Sequence, residues 1–414
     1  MNGFFKNYGA TLLLLAGILL GALCGALWPA AAHAVKPLGE LFLNLIFVMV
    51  VPLVFFSIAN SICGLHRSGM LGKTLLEILF VFVGMSLIAA LVAFAWVRPS
   101  ALSMVERTSI LNGASTSPVA DVEGTGSLLQ ALTDALTVSD FGLLLSKEHL
   151  LPLIVFAALL GYAVCAVGEK ARAVEDFLQG GSEVMIRMMK GVMVAAPVGL
   201  GCYFASTIAS VGSELLGVYL QVFIRYLILT VIFFCLISVL YVSAARGRAG
   251  NQAYWRHIWD PAATAVATSS SAATMPVAIE AAKRMGVSAP IAESVIPLGT
   301  NIHKDGSVMA AVFKIVFLML LCGRPIGGFE AFALIIGVAL LEAIVLGAVP
   351  GGGMAGEIFI CSVMGFPPEM VGIIVIIGTI VDMPATLLNV NGNIVASILV
   401  DRLAERRGRR KDEI

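Results

Sequence analysis

Residues 371–400 read VGIIVIIGTIVDMPATLLNVNGNIVASILV. The run exceeds the about 20 mostly apolar residues that carry a helix across the ~30 Å hydrocarbon core of a bilayer. Its one charge is Asp382, with Pro384 close behind. Asp382, Thr386, Asn389 and Asn393 recur at i, i+4, i+7 and i+11, so a helix places all four on one face. A carboxylate in mid-span costs roughly 2.5–3.5 kcal/mol on insertion scales. That face must therefore look into protein, toward a partner or a wet cavity. The stretch reads as a membrane helix that carries a polar site.

The rest of the chain fits this reading. Of 414 residues, 59% are hydrophobic and 13% charged, whereas soluble domains carry about 25% charged residues. Mean hydropathy is +0.97. Twenty-six basic residues balance 26 acidic ones, which argues against a nucleic-acid partner, and the apolar content excludes disorder. The seven cysteines are scattered through apolar stretches without CxxC spacing. They read as buried thiols, with no metal site or cofactor expected. Further spans are expected at 10–31, 38–64, 73–97, 150–167, 186–212 and 217–244. The first reads as a retained helix because other spans follow it and no small-residue cleavage site is clear. Segment 98–149, polar in its first half, reads as an external loop leading into a fragmented fourth helix. Arg67, Lys73, Lys170, Arg172, Arg187, Lys190, Arg246, Arg248, Arg256 and the tail from Arg402 to Lys411 fall on one side if both termini are cytoplasmic. The expected location is the cell inner membrane, with the basic tail as a topology anchor.

From residue 260 a theme occurs twice. Segment 258–285 has the polar tip Thr268-Ser269-Ser270-Ser271 and leads into 290–322. Segment 329–363 has the tip Val349-Pro350-Gly351-Gly352-Gly353 and leads into 368–402. Each tip lies midway along an apolar segment, so each reads as a re-entrant hairpin, which survives at membrane depth only when buried or lining a cavity. The following helices are expected to be interrupted, one at Asn301-Ile302-His303-Lys304-Asp305-Gly306 and the other at Asn389-Val390-Asn391-Gly392-Asn393. Paired interruptions point to a transporter's binding site. Pro384 should kink the last span and free a carbonyl near Ile380.

These motifs resemble the dicarboxylate/amino acid:cation symporter family over nearly the whole chain. The second span (Phe47 to Leu65, FVMVVPLVFFSIANSICGL) is similar to that family's Met-Pro-Ile-Val-Phe helix. The serine-rich hairpin, the Val-Pro-Gly hairpin and the Asp-Met…Asn-Val…Gly helix follow in the family's order. The resemblance implies an all-α membrane protein of eight transmembrane helices and two re-entrant hairpins, assembled as a homotrimer. Scaffold helices would occupy 1–72 and 150–214, with the third, transport-domain helix at 73–97. The loop and the start of the fourth helix would occupy 98–149. The remaining transport domain would take 215–402, and the basic tail 403–414. The transport domain would move by an elevator mechanism. By the same resemblance, Asp382 would hold a substrate α-ammonium group, and Thr386, Asn389, Ser270 and Ser271 would meet its α-carboxylate. Val349 and Gly353 would belong to the gate of the second hairpin.

Two departures from the family pattern shape the functional expectation. The arginine that grips a side-chain carboxylate in acidic-substrate members is Ala385 here, and the alternative arginine of the first hairpin is Ser269. No guanidinium remains for a second carboxylate, so a small neutral amino acid is expected as substrate. The family's sodium-binding Asn-Met-Asp-Gly reads His303-Lys304-Asp305-Gly306, and an eighth-helix sodium aspartate is Asn393. The third helix places no hydroxyl in Ile78–Met85. A hard cation needs several oxygens, whereas this chain removes them and adds an ammonium. Lys304 is therefore expected to replace Na⁺ and to neutralise Asp305 or Asp382. Glu342 and Glu357, on the two arms of the second hairpin, are further candidate partners. Protons, carried by Glu342, Glu357, His303 or Lys304, or simple exchange would then take over coupling. A sodium- or proton-coupled dicarboxylate or acidic amino acid carrier is the alternative, and an anion channel the alternative class. No hydrolase or nucleotide motif accompanies Ser269–Ser271 and Lys304, so an enzyme is not expected.

Overall fold

The computed structural model describes residues 2–67, 72–108, 133, 136–146, 149–211, 214–345, 352–367 and 369–412. Among them there are helices, turns and short extended links, and no strand. The first helices are α1 (Asn2–Leu27), α2 (Pro29–Arg67) and α3 (Gly72–Thr108). A single turn, Phe141–Leu144, is capped by the Asp140 carboxylate accepting from the Gly142 amide at 2.9 Å. Then come α4 (Leu150–Val167), α5 (Arg172–Met193), α6 (Ala196–Val211), α7 (Glu214–Ile232) and α8 (Ser238–His257). Gly168, at φ 67°, ends α4 in a conformation glycine adopts without a Cβ clash. A π-helical turn, Phe233–Ile237, joins α7 to α8. Five of the described helical stretches, Pro29–Asn60, Leu76–Pro99, Pro152–Met193, Leu216–His257 and Met370–Arg406, are long and apolar enough to cross a membrane.

Segment 98–108 departs from the loop expected of it. It continues α3 to Thr108, past Pro99. Its residues, Ala101 to Glu106, are ordinary helix formers. The polar composition there carries no information on where the helix ends, and residues 109–132 lie outside the described set.

Close backbone approach fixes the pairing of α1 with α6. Gly17, Gly21 and Gly25 recur every four residues on α1, so they line one face. A Cβ on Gly17 would stand 2.2 Å from the carbonyl oxygen of Pro197, one on Gly21 would stand 2.1 Å from that of Gly201, and one on Gly25 would stand 2.4 Å from that of Ala205. Lipid tails are as apolar as leucine, so membrane helices gain from such packing and not from hydrophobic exclusion.

The C-terminal half is arranged around one buried helix. Helices α9 (Trp259–Thr268) and α10 (Ser271–Arg284) are joined through Ser269, which is left-handed at φ 45°, and Ser270. Ser270 caps α10, its hydroxyl accepting from the Ala273 amide at 3.2 Å. Then α11 (Ala289–Ile302) and α12 (Asp305–Leu321) are separated by His303, which is extended, and Lys304, which is also non-helical. Helix α12 is buried from Asp305 to Met319 except at Ser307, with α3 and α15 packed along it. Helices α13 (Phe329–Val345) and α14 (Gly352–Val363) flank residues 346–351, which lie outside the described set and include Val349. Arg324 donates to the carbonyls of Met364 and Gly365 beyond the end of α14, its guanidinium 4.7 Å from the Phe366 ring centre.

The final helix, α15 (Glu369–Asp412), corrects one expectation. It runs unbroken through 389–393, so only the first of the two anticipated interruptions exists. The asparagines there spend their hydrogen bonds on other helices. Tyr254 donates to Asn391 Oδ1 at 2.7 Å, and Asn391 Nδ2 donates to Ser238 Oγ at 2.6 Å. Gly392 is small for a tertiary reason, given below.

Gly21→Val places side-chain atoms inside the α1–α6 contact, and overpacking of this kind costs about 1–3 kcal/mol. The thermal midpoint of the detergent-purified protein, followed by size-exclusion chromatography after heating, is expected to fall; an unchanged midpoint contradicts the packing.

Candidate functional site

The break between α11 and α12 places three ionisable side chains in succession inside the protein. His303 and Asp305 are fully buried, and Lys304 nearly so. The His303 ring lies flat against Phe82 of α3, with 4.6 Å between centroids and 11° between planes. Its Nδ1 meets Asn393 Oδ1 at 2.9 Å, and its Nε2 meets Asp305 Oδ1 at 3.0 Å, off the line of a hydrogen bond. A carboxamide oxygen only accepts, so with this orientation of Asn393 it is Nδ1 that carries a hydrogen.

Two glycines make room for this cluster. A Cβ on Gly392 would stand 2.6 Å from Asp305 Oδ2 and 3.3 Å from His303 Cε1, and one on Gly299 would stand 2.3 Å from Asn393 Oδ1. Gly306 brings the start of α12 against α15, where a Cβ would stand 2.2 Å from the Ala385 carbonyl oxygen. Tyr226 of α7 donates to the Gly306 carbonyl at 2.8 Å.

The polar stripe of α15 is graded by depth. Asp382 is exposed, whereas Ala385, Thr386, Asn389 and Asn393 are buried. Asn389 accepts from the Ser307 amide and donates to the Ser307 hydroxyl, both at 3.1 Å. The charges of Lys304 and Lys314 reach Asp382, and those of Glu342 and Asp382 reach Lys304. Asp382 thus stands at the open end of a charged interior. Helices α9 and α10 both pack on α15, and Ser269, Ser270 and Ser271 between them are half-buried. Gly353 falls in the first turn of α14.

Sequence reasoning missed Lys314. Its Nζ donates to Glu342 Oε1 at 2.9 Å and to Glu357 Oε1 at 2.8 Å, and all three side chains are at most 3% exposed. Lys314 thereby joins α12 to both arms of the helix pair α13 and α14. Glycines again provide the space: a Cβ on Gly356 would stand 2.5 Å from Glu342 Oε1, and one on Gly378 would stand 2.2 Å from Glu357 Oε1. The available signal was arithmetic, since two intramembrane glutamates need a cation and Lys314 is the charge within the apolar run 306–321.

A second polar knot holds the far end of α15. Asp401 Oδ1 accepts from the Ser288 amide at 3.2 Å and hydroxyl at 2.6 Å. Arg246 of α8 donates to Asp401 Oδ2 and, at 3.1 Å, to the Met285 carbonyl. Among the described residues, no group of three or more His, Cys, Asp or Glu side chains is placed to hold a metal ion. At the break, Asp305 and Asn393 direct oxygens to His303, and an ammonium is adjacent. That donor set does not suit a hard cation.

The profile of the Sodium:dicarboxylate symporter family matches residues 10–403. A protein of Bacillus caldotenax named "Proton/sodium-glutamate symport protein" is 26% identical over 395 residues, covering 93% of this chain and 92% of its own. The "Proton/glutamate-aspartate symporter" of Bacillus subtilis (strain 168) is 25% identical over 408 residues, covering 94% and 93%. The "C4-dicarboxylate transport protein" of Anaeromyxobacter sp. (strain K) is 26% identical over 405 residues, covering 94% and 88%.

Gly392→Ala drives a methyl group into Asp305 and His303 and is expected to destabilise the protein by about 1–3 kcal/mol. Gly180→Ala, in a helix with open space around it, is expected to be neutral or mildly stabilising. Thermal melts of both variants beside the parent check this, and equal melts for the two count against the described geometry.

Proposed function

The chain belongs to the sodium:dicarboxylate symporter family, and on that premise we propose that it is a secondary carrier of small neutral amino acids that works without sodium. Its relatives are transporters and not enzymes. The observation that carries the sodium-independent reading is the His303–Asp305–Asn393 cluster: Asp305 faces an imidazole at 3.0 Å where the family's sodium motif stands. Built-in cations, His303 toward Asp305 and Lys304 toward Asp382, take over the neutralising role of a diffusible ion.

In this reading the exposed Asp382 receives the substrate ammonium. Thr386 and Asn389 of α15 and the serines of the α9–α10 tip supply neutral polar groups for the carboxylate. Ala385 and Ser269 offer no guanidinium for a second carboxylate. The architecture proposed is eight transmembrane helices with two re-entrant hairpins, α9–α10 and α13–α14. It has cytoplasmic termini in the inner membrane, homotrimeric assembly and an elevator movement of the C-terminal half. A second reading, a carrier of acidic amino acids or C4-dicarboxylates, draws on the names of the relatives.

Competition uptake into proteoliposomes separates the two readings. Alanine, serine or leucine are expected to inhibit and aspartate and succinate to fail, with the same rates when choline replaces Na⁺. Transport abolished by choline and restored by sodium refutes sodium independence, and inhibition by aspartate or succinate alone refutes the substrate class. Asp382→Asn is expected to lower uptake at least about tenfold, as loss of one charge-assisted hydrogen bond implies.

A further inference from the structure

Beyond the substrate cleft, the Lys314–Glu342–Glu357 triad has a charge count that does not close. One ammonium stands within 3 Å of two carboxylates, at 2.9 and 2.8 Å. Each glutamate gives Oε1 to Lys314 and leaves Oε2 buried without a hydrogen-bond partner. A buried ionised carboxylate with one oxygen lacking a donor is costly, and protonation removes the charge that burial penalises most. The surroundings do not repair the deficit. Asp382 of α15 and Lys304 at the break add one charge of each sign within electrostatic reach. Among the described residues, the further groups within electrostatic reach of the glutamates are neutral: the Tyr226 hydroxyl of α7 toward Glu342, already donating to Gly306, and the Cys361 thiol of α14 toward Glu357. Helix α3, packed along α12, buries apolar side chains and Ser86. With all three groups ionised, the triad carries one net negative charge on side chains that are at most 3% exposed. His303 and Asp305 meet each other at 3.0 Å and lie outside this sum.

We propose that the Lys314–Glu342–Glu357 triad is the proton-binding site of this carrier, holding one exchangeable proton on an Oε2 atom of Glu342 or Glu357. Binding forms an O–H bond at that oxygen and brings the cluster to zero charge. Release breaks the bond, returns the proton to water and leaves the net charge behind. The glutamates sit on α13 and α14 and the lysine on α12, so the proton is linked to how firmly this hairpin is held against α12. A buried network with two acids and one base titrates as a unit, and the proton belongs to the pair of glutamates rather than to either one. The proposal rests on the carrier reading but not on the substrate assigned above.

The test has two independent readouts. Infrared difference spectra of the full-length purified protein, taken as pH is stepped, should show a protonated-carboxyl carbonyl band that is lost in Glu357→Gln or Glu342→Gln. Glutamine keeps the volume and an oxygen for Lys314, and either variant alone suffices. In proteoliposomes, uptake of radiolabelled serine and, in parallel, of radiolabelled aspartate by the parent should fall by about tenfold per pH unit on the alkaline side, the slope of one titrating proton. In the glutamine variants the pH dependence and the drive by a pH gradient should vanish while exchange of the same substrate persists. Aspartate moving in place of serine would refute the substrate assignment and leave this test intact. A parent without a titrating carboxyl band, or glutamine variants still driven by a pH gradient, would overturn the proposal.

Discussion

A charge taken out of water has to meet its opposite, and helix α12 imposes that requirement twice. Asp305 opens it and Lys314 sits nine residues on, both buried. The idealised transfer of either charge alone into a medium of low dielectric constant costs of order 20 kcal/mol, and still several after relaxation. The partners come from separate elements: His303 from the break, Glu342 from α13 and Glu357 from α14. Those elements must therefore converge on α12. The glycines at 299, 306, 356, 378 and 392 are the steric counterpart, each standing where a polar group or a neighbouring backbone needs the volume of a Cβ.

The N-terminal half obeys a different rule. Among the described residues, its α1–α6 contact shows no buried ion pair, and it relies on backbone approach through Gly17, Gly21 and Gly25. The two halves thus differ in what specifies them. One is held by shape, and the other by shape together with charge matching.

Much of this was legible in the sequence because period and hydropathy are local properties. The long apolar spans, the serine tip at Ser269–Ser270 and the break at His303–Lys304 all follow from such local signals, and the family followed from the order of the motifs. Two features were not legible. The polar residues of 389–393 look like a helix break, because asparagine and glycine favour turns when they bond to their own backbone. Here Tyr254, Ser238 and Ser307 from distant segments take up the side-chain bonds, and the helix continues. Lys314 was overlooked because its partners lie 28 and 43 residues away, and a pairing across three helices leaves no periodic trace.

The unbroken course of α15 has a mechanical corollary. At 1.5 Å per residue, its 44 residues extend about 66 Å. Asp382 and Thr386 lie along this rod, and further on Asp401 is tied by Ser288 and Arg246 to the start of α11 and to α8. The helix continues through Pro384, so residues on either side of it share one backbone element. Any shift that carries the exposed carboxylate of Asp382 must also drag the Asp401 anchor, and with it two neighbouring helices. The positions of Asp382 and Asp401 are thus geared together.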